Sequence, residues 1–218
     1  MKIKAVLFDL DGTLLDTLDD IADSANYSLA RLGFPAHDVD AYRYFVGSGA
    51  DSLLKAVLPE DARTADTLAE LKAIYIERYG AHSLDKTRPY AGVEGMLKEL
   101  KKYPLKLAVI SNKPDSSTKF TVSRSFGEGV FDVVAGGREG VPLKPDPAIA
   151  NIVLGEFGIS GGEAVLAGDT SVDLATAKNA GCVSVGVTWG FRPKEAETGA
   201  DYVISDPSEL PPLILSHS

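Results

Sequence analysis

A chain of 218 residues with 44% hydrophobic and 24% charged residues has the make-up of a folded globular protein, large enough for one α/β domain or a core with a modest insertion. Its 22 Lys and Arg stand against 31 Asp and Glu, and the resulting charge of −9 repels polyanions, which argues against nucleic acid and anionic membranes as partners. The lone Cys182 cannot close an internal disulfide, which suits a reducing compartment.

From the start, MKIKAVLFDLDGT offers only six apolar residues before Asp9, broken up by lysines, too short a run for a signal peptide or a membrane span, so a cytoplasmic location is expected. Ile3 to Phe8 reads as a first buried strand. The rhythm then changes: from Thr17 to Gly80 the pattern is amphipathic and helical, with helices expected over Asp19–Leu32 and Ala62–Tyr79 and no convincing strand between them. A polar exit, His82 to Pro89, precedes a helix over Val93–Lys102. Four more apolar runs follow, Leu105–Ile110, Phe131–Ala135, Ala164–Ala167 and Cys182–Val187, with helical stretches between them. Near-continuous apolar strands alternating with helices predict an α/β fold, a doubly wound parallel sheet (a Rossmann-like core). The domains expected are a core of residues 1–15 and 88–218 and an inserted all-helical cap of residues 16–87.

Ligands of open parallel sheets bind beyond the carboxyl ends of the strands, so the polar residues there are the candidates. Asp9-Leu10-Asp11-Gly12-Thr13 follows KAVLF, with Gly12 freeing the turn so that two carboxylates can face one crevice. Ser111-Asn112 follows LAVI and offers neutral donors suited to phosphate oxygens. Lys144-Pro145-Asp146-Pro147 sets a positive charge before a stiffened helix start, with Asp146 a candidate N-cap. Gly168-Asp169-Thr170-Ser171-Val172-Asp173 places two further carboxylates at a strand-to-helix junction. Taken singly, an Asp after a strand is usually a turn or capping residue and a Lys a solvated charge. The conjunction of all four clusters, each at the end of a strand of one sheet, is what points to chemistry.

These residues resemble the four motifs of the haloacid dehalogenase-like hydrolases: DLDGT, the serine of VISN, the lysine of KPDP, and GDTSVD. The helical segment after the first motif is similar to the cap of one subgroup, and the chain's length and the segment FVGSGADSLLKAVL are similar to its phosphoglycolate phosphatases. The resemblance implies a phosphatase in which Asp9 is the nucleophile and Asp11 the general acid and base. Packing Asp9, Asp11 and Asp169 beside a phosphate calls for a divalent cation, and hard oxygen donors favour Mg2+. By the family pattern, Asp9 and Asp169 would hold it through side chains and Asp11 through its backbone carbonyl, with Asp173 buttressing the set. Ser111, Asn112 (through its backbone N–H) and Lys144 would bind the transferring phosphoryl group.

Substrate choice is expected in the cap, where Arg43 is a candidate to read a substrate carboxylate and Gly47-Ser48-Gly49 a candidate turn facing the site. Trp189 could line the core near the site, Tyr75 and Tyr79 read as a packing stripe of one helix, and the histidines show no ligand spacing. The partner expected is a small phosphorylated metabolite, handled by a monomer or homodimer. Asp11 counts against a dehalogenase, while a sugar-phosphate mutase of the β-phosphoglucomutase type and a pyrophosphatase stay open, and a non-catalytic binding protein has no need of this residue set.

Overall fold

The computed structural model describes residues 2–216; His217 lies outside them. The chain enters β1 (Ala5–Phe8), passes through a two-residue strand β2 (Leu15–Asp16), and then becomes helical through α1 (Leu18–Arg31), α2 (Tyr42–Phe45), α3 (Ala50–Val57) and α4 (Ala65–His82). It returns by β3 (Arg88–Pro89) to α5 (Val93–Leu100), β4 (Lys106–Pro114), α6 (Asp115–Phe126), β5 (Val133–Gly137) and α7 (Ala148–Phe157). The remaining elements are β6 (Ala164–Gly168), α8 (Ser171–Ala180), β7 (Val183–Val187), α9 (Pro193–Ala196), β8 (Tyr202–Ile204) and α10 (Leu210–Leu215).

Among the described residues six strands form one sheet, in the order β5-β4-β1-β6-β7-β8, and every pairing is parallel. Counting only those strands, the order is 3-2-1-4-5-6, which reverses direction between β1 and β6. Period-two alternation assigns the two faces. Val6, Phe8, Val109, Val165 and Val185 pack with α5 and α10, while Ala5, Leu7, Ala108, Ile110 and Leu166 pack with α7 and residues of α8. Both faces are covered, which is why these strands read as unbroken apolar runs.

Between β2 and β3 the chain builds a cluster of its own. Leu18, Ile21, Ala22, Ala25 and Leu29 of α1 recur at helical spacing and meet Leu71, Tyr75 and Tyr79 of α4. Where the chain leaves and re-enters this insertion, β2 and β3 pair antiparallel, Leu15 opposite Pro89 and Asp16 opposite Arg88. Asp20, buried in α1, braces the same joint: its oxygens accept from the backbone N–H of Lys86 (3.0 Å) and Thr87 (2.8 Å).

The structure differs from the sequence reading in three places. The strand expected to stop at Ile110 runs on to Pro114 through a register shift against β5, so Ser111-Asn112 lies in a bulged strand and α6 begins only at Asp115. Asp146 accepts from the N–H of Ala148 at 2.8 Å, and the helix starts one residue later than a cap at Asp146 implies. The edge strand β8 and the β2–β3 ribbon carry too few residues for any periodicity to show.

Candidate active site

The reversal between β1 and β6 is where a crevice must open, because neighbouring connections leave the sheet on opposite faces. Asp9 directly follows β1 and Asp169 directly follows β6, so topology alone sets two acids on its two sides. The turn after Asp9 depends on Gly12, whose φ of +95° suits a residue without a side chain; a Cβ there would collide with the Asp169 carboxylate. Asp169 is held by the Thr13 hydroxyl (3.2 Å) and the backbone N–H of Phe191 (2.7 Å). Trp189, from the same loop, donates its indole N–H to the Thr13 carbonyl at 3.0 Å, so it lines the site's wall as well as packing against the core.

Lys144 reaches this floor from the loop before α7. Its ammonium donates to Asp9 Oδ1 (2.6 Å), Asp173 Oδ1 (2.6 Å) and the Ile110 carbonyl (3.2 Å), which uses all three of its donors. Asp173 is spent as well, its second oxygen accepting from the hydroxyl (2.7 Å) and N–H (3.2 Å) of Thr170 in a capping box at the start of α8. Among the described residues no hydrogen bond reaches Asp9 Oδ2.

The electrostatics follow from burial. Burial pushes the Asp9 carboxyl well above the usual carboxylate range; Lys144 opposes this while Asp173 and Asp169 add to it. Asp169 is pushed up to about 7 by burial and by Asp173, against the hydrogen bonds from Phe191 and Thr13. Burial pulls the Lys144 ammonium down, but Asp173 and Asp9 outweigh it and hold the group charged. Asp9, Asp169 and Asp173 each bring an oxygen within 4.8 Å of the others. One ammonium for three crowded carboxylates leaves net negative charge among hard oxygen donors, and such a set fits a small divalent cation.

Asp11 turns elsewhere. Its carboxylate is not among those three; it is held by the Thr17 hydroxyl (2.8 Å) and by Lys113 (2.8 and 3.1 Å). Lys113 also reaches the Tyr79 hydroxyl of α4 at 2.7 Å. Tyr79 stacks on Tyr75 as a packing stripe should, yet its hydroxyl meets the floor of the site. Lys113 adjoins an apolar run, where a charged residue is normally solvated, yet it lies within the register shift of β4 and is buried.

The remaining candidates divide. Ser111 is buried, with its Oγ accepting from the Lys113 N–H at 3.2 Å. The Asn112 side chain is not available to a phosphate: its amide donates to the carbonyls of Gly47 and Lys144 (both 2.9 Å) and accepts from the Lys144 N–H (2.7 Å). It joins the Gly47-Ser48-Gly49 turn to the loop carrying Lys144. Arg192, which the sequence reading passed over, clamps the same turn by donating to the Val46 carbonyl at 3.0 Å, and a Cβ on Gly47 would lie 2.6 Å from its Nη2. Phe191 drives its ring into the apolar cluster of the helical insertion. Arg43 pairs with Asp40 at 3.2 Å, with its side chain 39% exposed, and touches none of the site's carboxylates.

Comparison with known proteins agrees with this geometry. The profile of the haloacid dehalogenase-like hydrolases matches residues 6–187. The chain belongs to that family. It is 32% identical over 215 residues to a phosphoglycolate phosphatase of Vibrio parahaemolyticus, covering 95% of this chain and 94% of that one. It is 33% identical to one from Vibrio cholerae, with 98% of each chain covered. A crystal structure of a predicted phosphoglycolate phosphatase from Haemophilus somnus 129pt superposes with a TM-score of 0.91 at 28% identity, over 98% of both chains. Within the family, then, this member is an enzyme of the phosphoglycolate phosphatase-like group of phosphoric monoester hydrolases. No described helix is long and apolar enough to cross a membrane.

Proposed function

We propose that this chain is a Mg2+-dependent phosphatase that hydrolyses a small phosphoglycolate-like monoester through an aspartyl-phosphate on Asp9. The observation that carries this reading is the asymmetry of Asp9: Lys144 pins one oxygen at 2.6 Å, and among the described residues no hydrogen bond reaches the other. A buried carboxylate held by one oxygen is oriented as a nucleophile, with its attack already directed.

Asp9 attacks phosphorus as the bond from phosphorus to the ester oxygen breaks, and the departing alkoxide takes a proton from Asp11. Asp11 then removes a proton from water, which attacks the same phosphorus, releases inorganic phosphate and restores Asp9. Lys144 favours the ionised form of Asp9 and, by exchanging one of its three contacts, would meet a phosphoryl oxygen, where Ser111 and the backbone N–H of Asn112 join it. The side chains of Asp9 and Asp169 and the carbonyl of Asp11 would hold Mg2+, which would supply neutralising charge to the phosphoryl group. Asp173, both of whose oxygens are engaged, positions Lys144.

Residues 16–87 act as a cap, hinged on the β2–β3 ribbon and seated on the core by Asn112, Arg192 and Phe191. Supporting this, the insertion has an apolar cluster of its own and enters and leaves the core at one place. The deciding experiment assays purified protein with Mg2+ against phosphoglycolate, pyrophosphate and sugar phosphates, alongside Asp9→Asn. The wild type should release phosphate from phosphoglycolate, and Asp9→Asn should be folded by circular dichroism and inactive. A substantially active Asp9→Asn removes the nucleophile, and a rearranged sugar phosphate as product replaces the phosphatase by a mutase.

A further inference from the structure

The cation nearest the proposed acid has no part in the chemistry above. Lys113 is 8% exposed, holds both oxygens of Asp11, meets the Tyr79 hydroxyl, and lies 4.9 Å from the centre of that ring. Placing an ammonium there costs desolvation, and the nearby carboxylate offsets that only in part.

The chemistry of the proposed substrate says what else belongs at this spot. In a phosphoglycolate-like ester a single methylene joins the carboxylate carbon to the ester oxygen. A group that protonates this oxygen must come within about 2.6–3.2 Å of it. The substrate's carboxylate is thereby brought beside Asp11, which becomes an anion once it has given up its proton, and two anions so close need a cation between them. Among the described residues, the cations that touch a carboxylate of the site are Lys144 and Lys113. Lys144 is committed to Asp9 and Asp173. Arg192 is held by Val46 and Glu195, and Arg43 sits with Asp40 near solvent.

We infer that Lys113 is the residue that recognises the substrate's carboxylate, giving up its longer contact, 3.1 Å to Asp11 Oδ2, for a substrate oxygen. Tyr79 then keeps the ammonium from turning away, so a residue of the helical insertion shapes selectivity without touching the substrate. The inference moves the reading of the carboxylate from Arg43, where the sequence put it, to the core, and it rests on the phosphoglycolate-like substrate proposed above.

The test compares phosphoglycolate with ethyl phosphate, which has the same two carbons and no carboxylate. Steady-state kcat and KM are measured with Mg2+ for wild type, Lys113→Met, Lys113→Gln and Lys113→Arg. Wild type should prefer phosphoglycolate in kcat/KM. The Met and Gln variants should lose that preference by roughly 10- to 100-fold, the worth of one charge-assisted hydrogen bond, chiefly through KM for phosphoglycolate. An equal loss on both esters means that Lys113 only holds Asp11 and overturns the inference, as does a wild type that does not distinguish them. Should the neutral variants unfold, Lys113→Arg decides: KM must move for phosphoglycolate and stay for ethyl phosphate, and equal movement overturns the inference. A wild type inactive on the entire ester panel overturns the phosphatase itself, a result distinct from an active enzyme without the preference.

Discussion

Lys144 and Lys113 make the same kind of contact, a buried ammonium against an aspartate, in two different settings. Lys144 joins parts of the core alone: its partners Asp9, Asp173 and Ile110 follow or belong to strands and helices of the central sheet. Lys113 spans a joint, with Asp11 on the core side and Tyr79 on a helix of the insertion. The difference teaches that one sheet edge can carry both a fixed charge and a movable one. The fixed one is surrounded by elements of the core alone, whereas the other would lose a partner if the insertion opened as the proposed cap.

Substitutions can break or sharpen this contrast. Lys144→Ala should have the largest effect, because Asp9 and Asp173 are left buried without their counter-charge. Stability should fall by about 3–5 kcal/mol in urea unfolding. Phosphate release should fall ~10²-fold or more. Equal damage from Lys113→Met would abolish the distinction. Asp11→Asn should slow turnover by roughly 10²- to 10⁴-fold. Its stability should fall by about 1–3 kcal/mol in urea unfolding, because Lys113 keeps an acceptor but loses its counter-charge, while its circular dichroism stays that of wild type; an unimpaired rate would take acid and base duty from Asp11. Asp20→Ala, which strips acceptors from the N–H groups of Lys86 and Thr87 at the hinge, should cost about 1–3 kcal/mol, with proteolysis beginning in residues 83–88. Tyr79→Phe should be mildest, about 1 kcal/mol in stability, with a raised KM for phosphoglycolate as the sign that the joint was disturbed.

The fixed half of this contrast was legible in the sequence and the movable half was not. Lys144 stands beside prolines just ahead of a helix, in a loop seven residues beyond β5 and not at the strand end expected for it, while Asp9 and Asp169 each end a strand buried on both faces, where pattern and chemistry coincide. Lys113 was hidden because its inward turn comes from a bulge formed against β5, a long-range pairing that no local period encodes. Asn112 was legible as a polar residue at a strand end, but not as a side chain already committed to Gly47 and Lys144. The contacts of Phe191 and Arg192 with the insertion join residues more than a hundred positions apart. Only packing fixes which loop meets which helix. The ribbon of β2 and β3 and the strand β8 escaped for a simpler reason, being two or three residues long.

Phe191 belongs by sequence to the sheet and by its surroundings to the helices, and its side chain is only 4% exposed. Lifting the helices would return that ring to water at about 1.5–3 kcal/mol, while its N–H lets go of nothing, since Asp169 moves with the same body. If the insertion opens as a cap, that single phenyl group would act as a return spring, biasing the molecule towards the shut position. A smaller residue at this place would trade grip on the substrate for faster escape of the products.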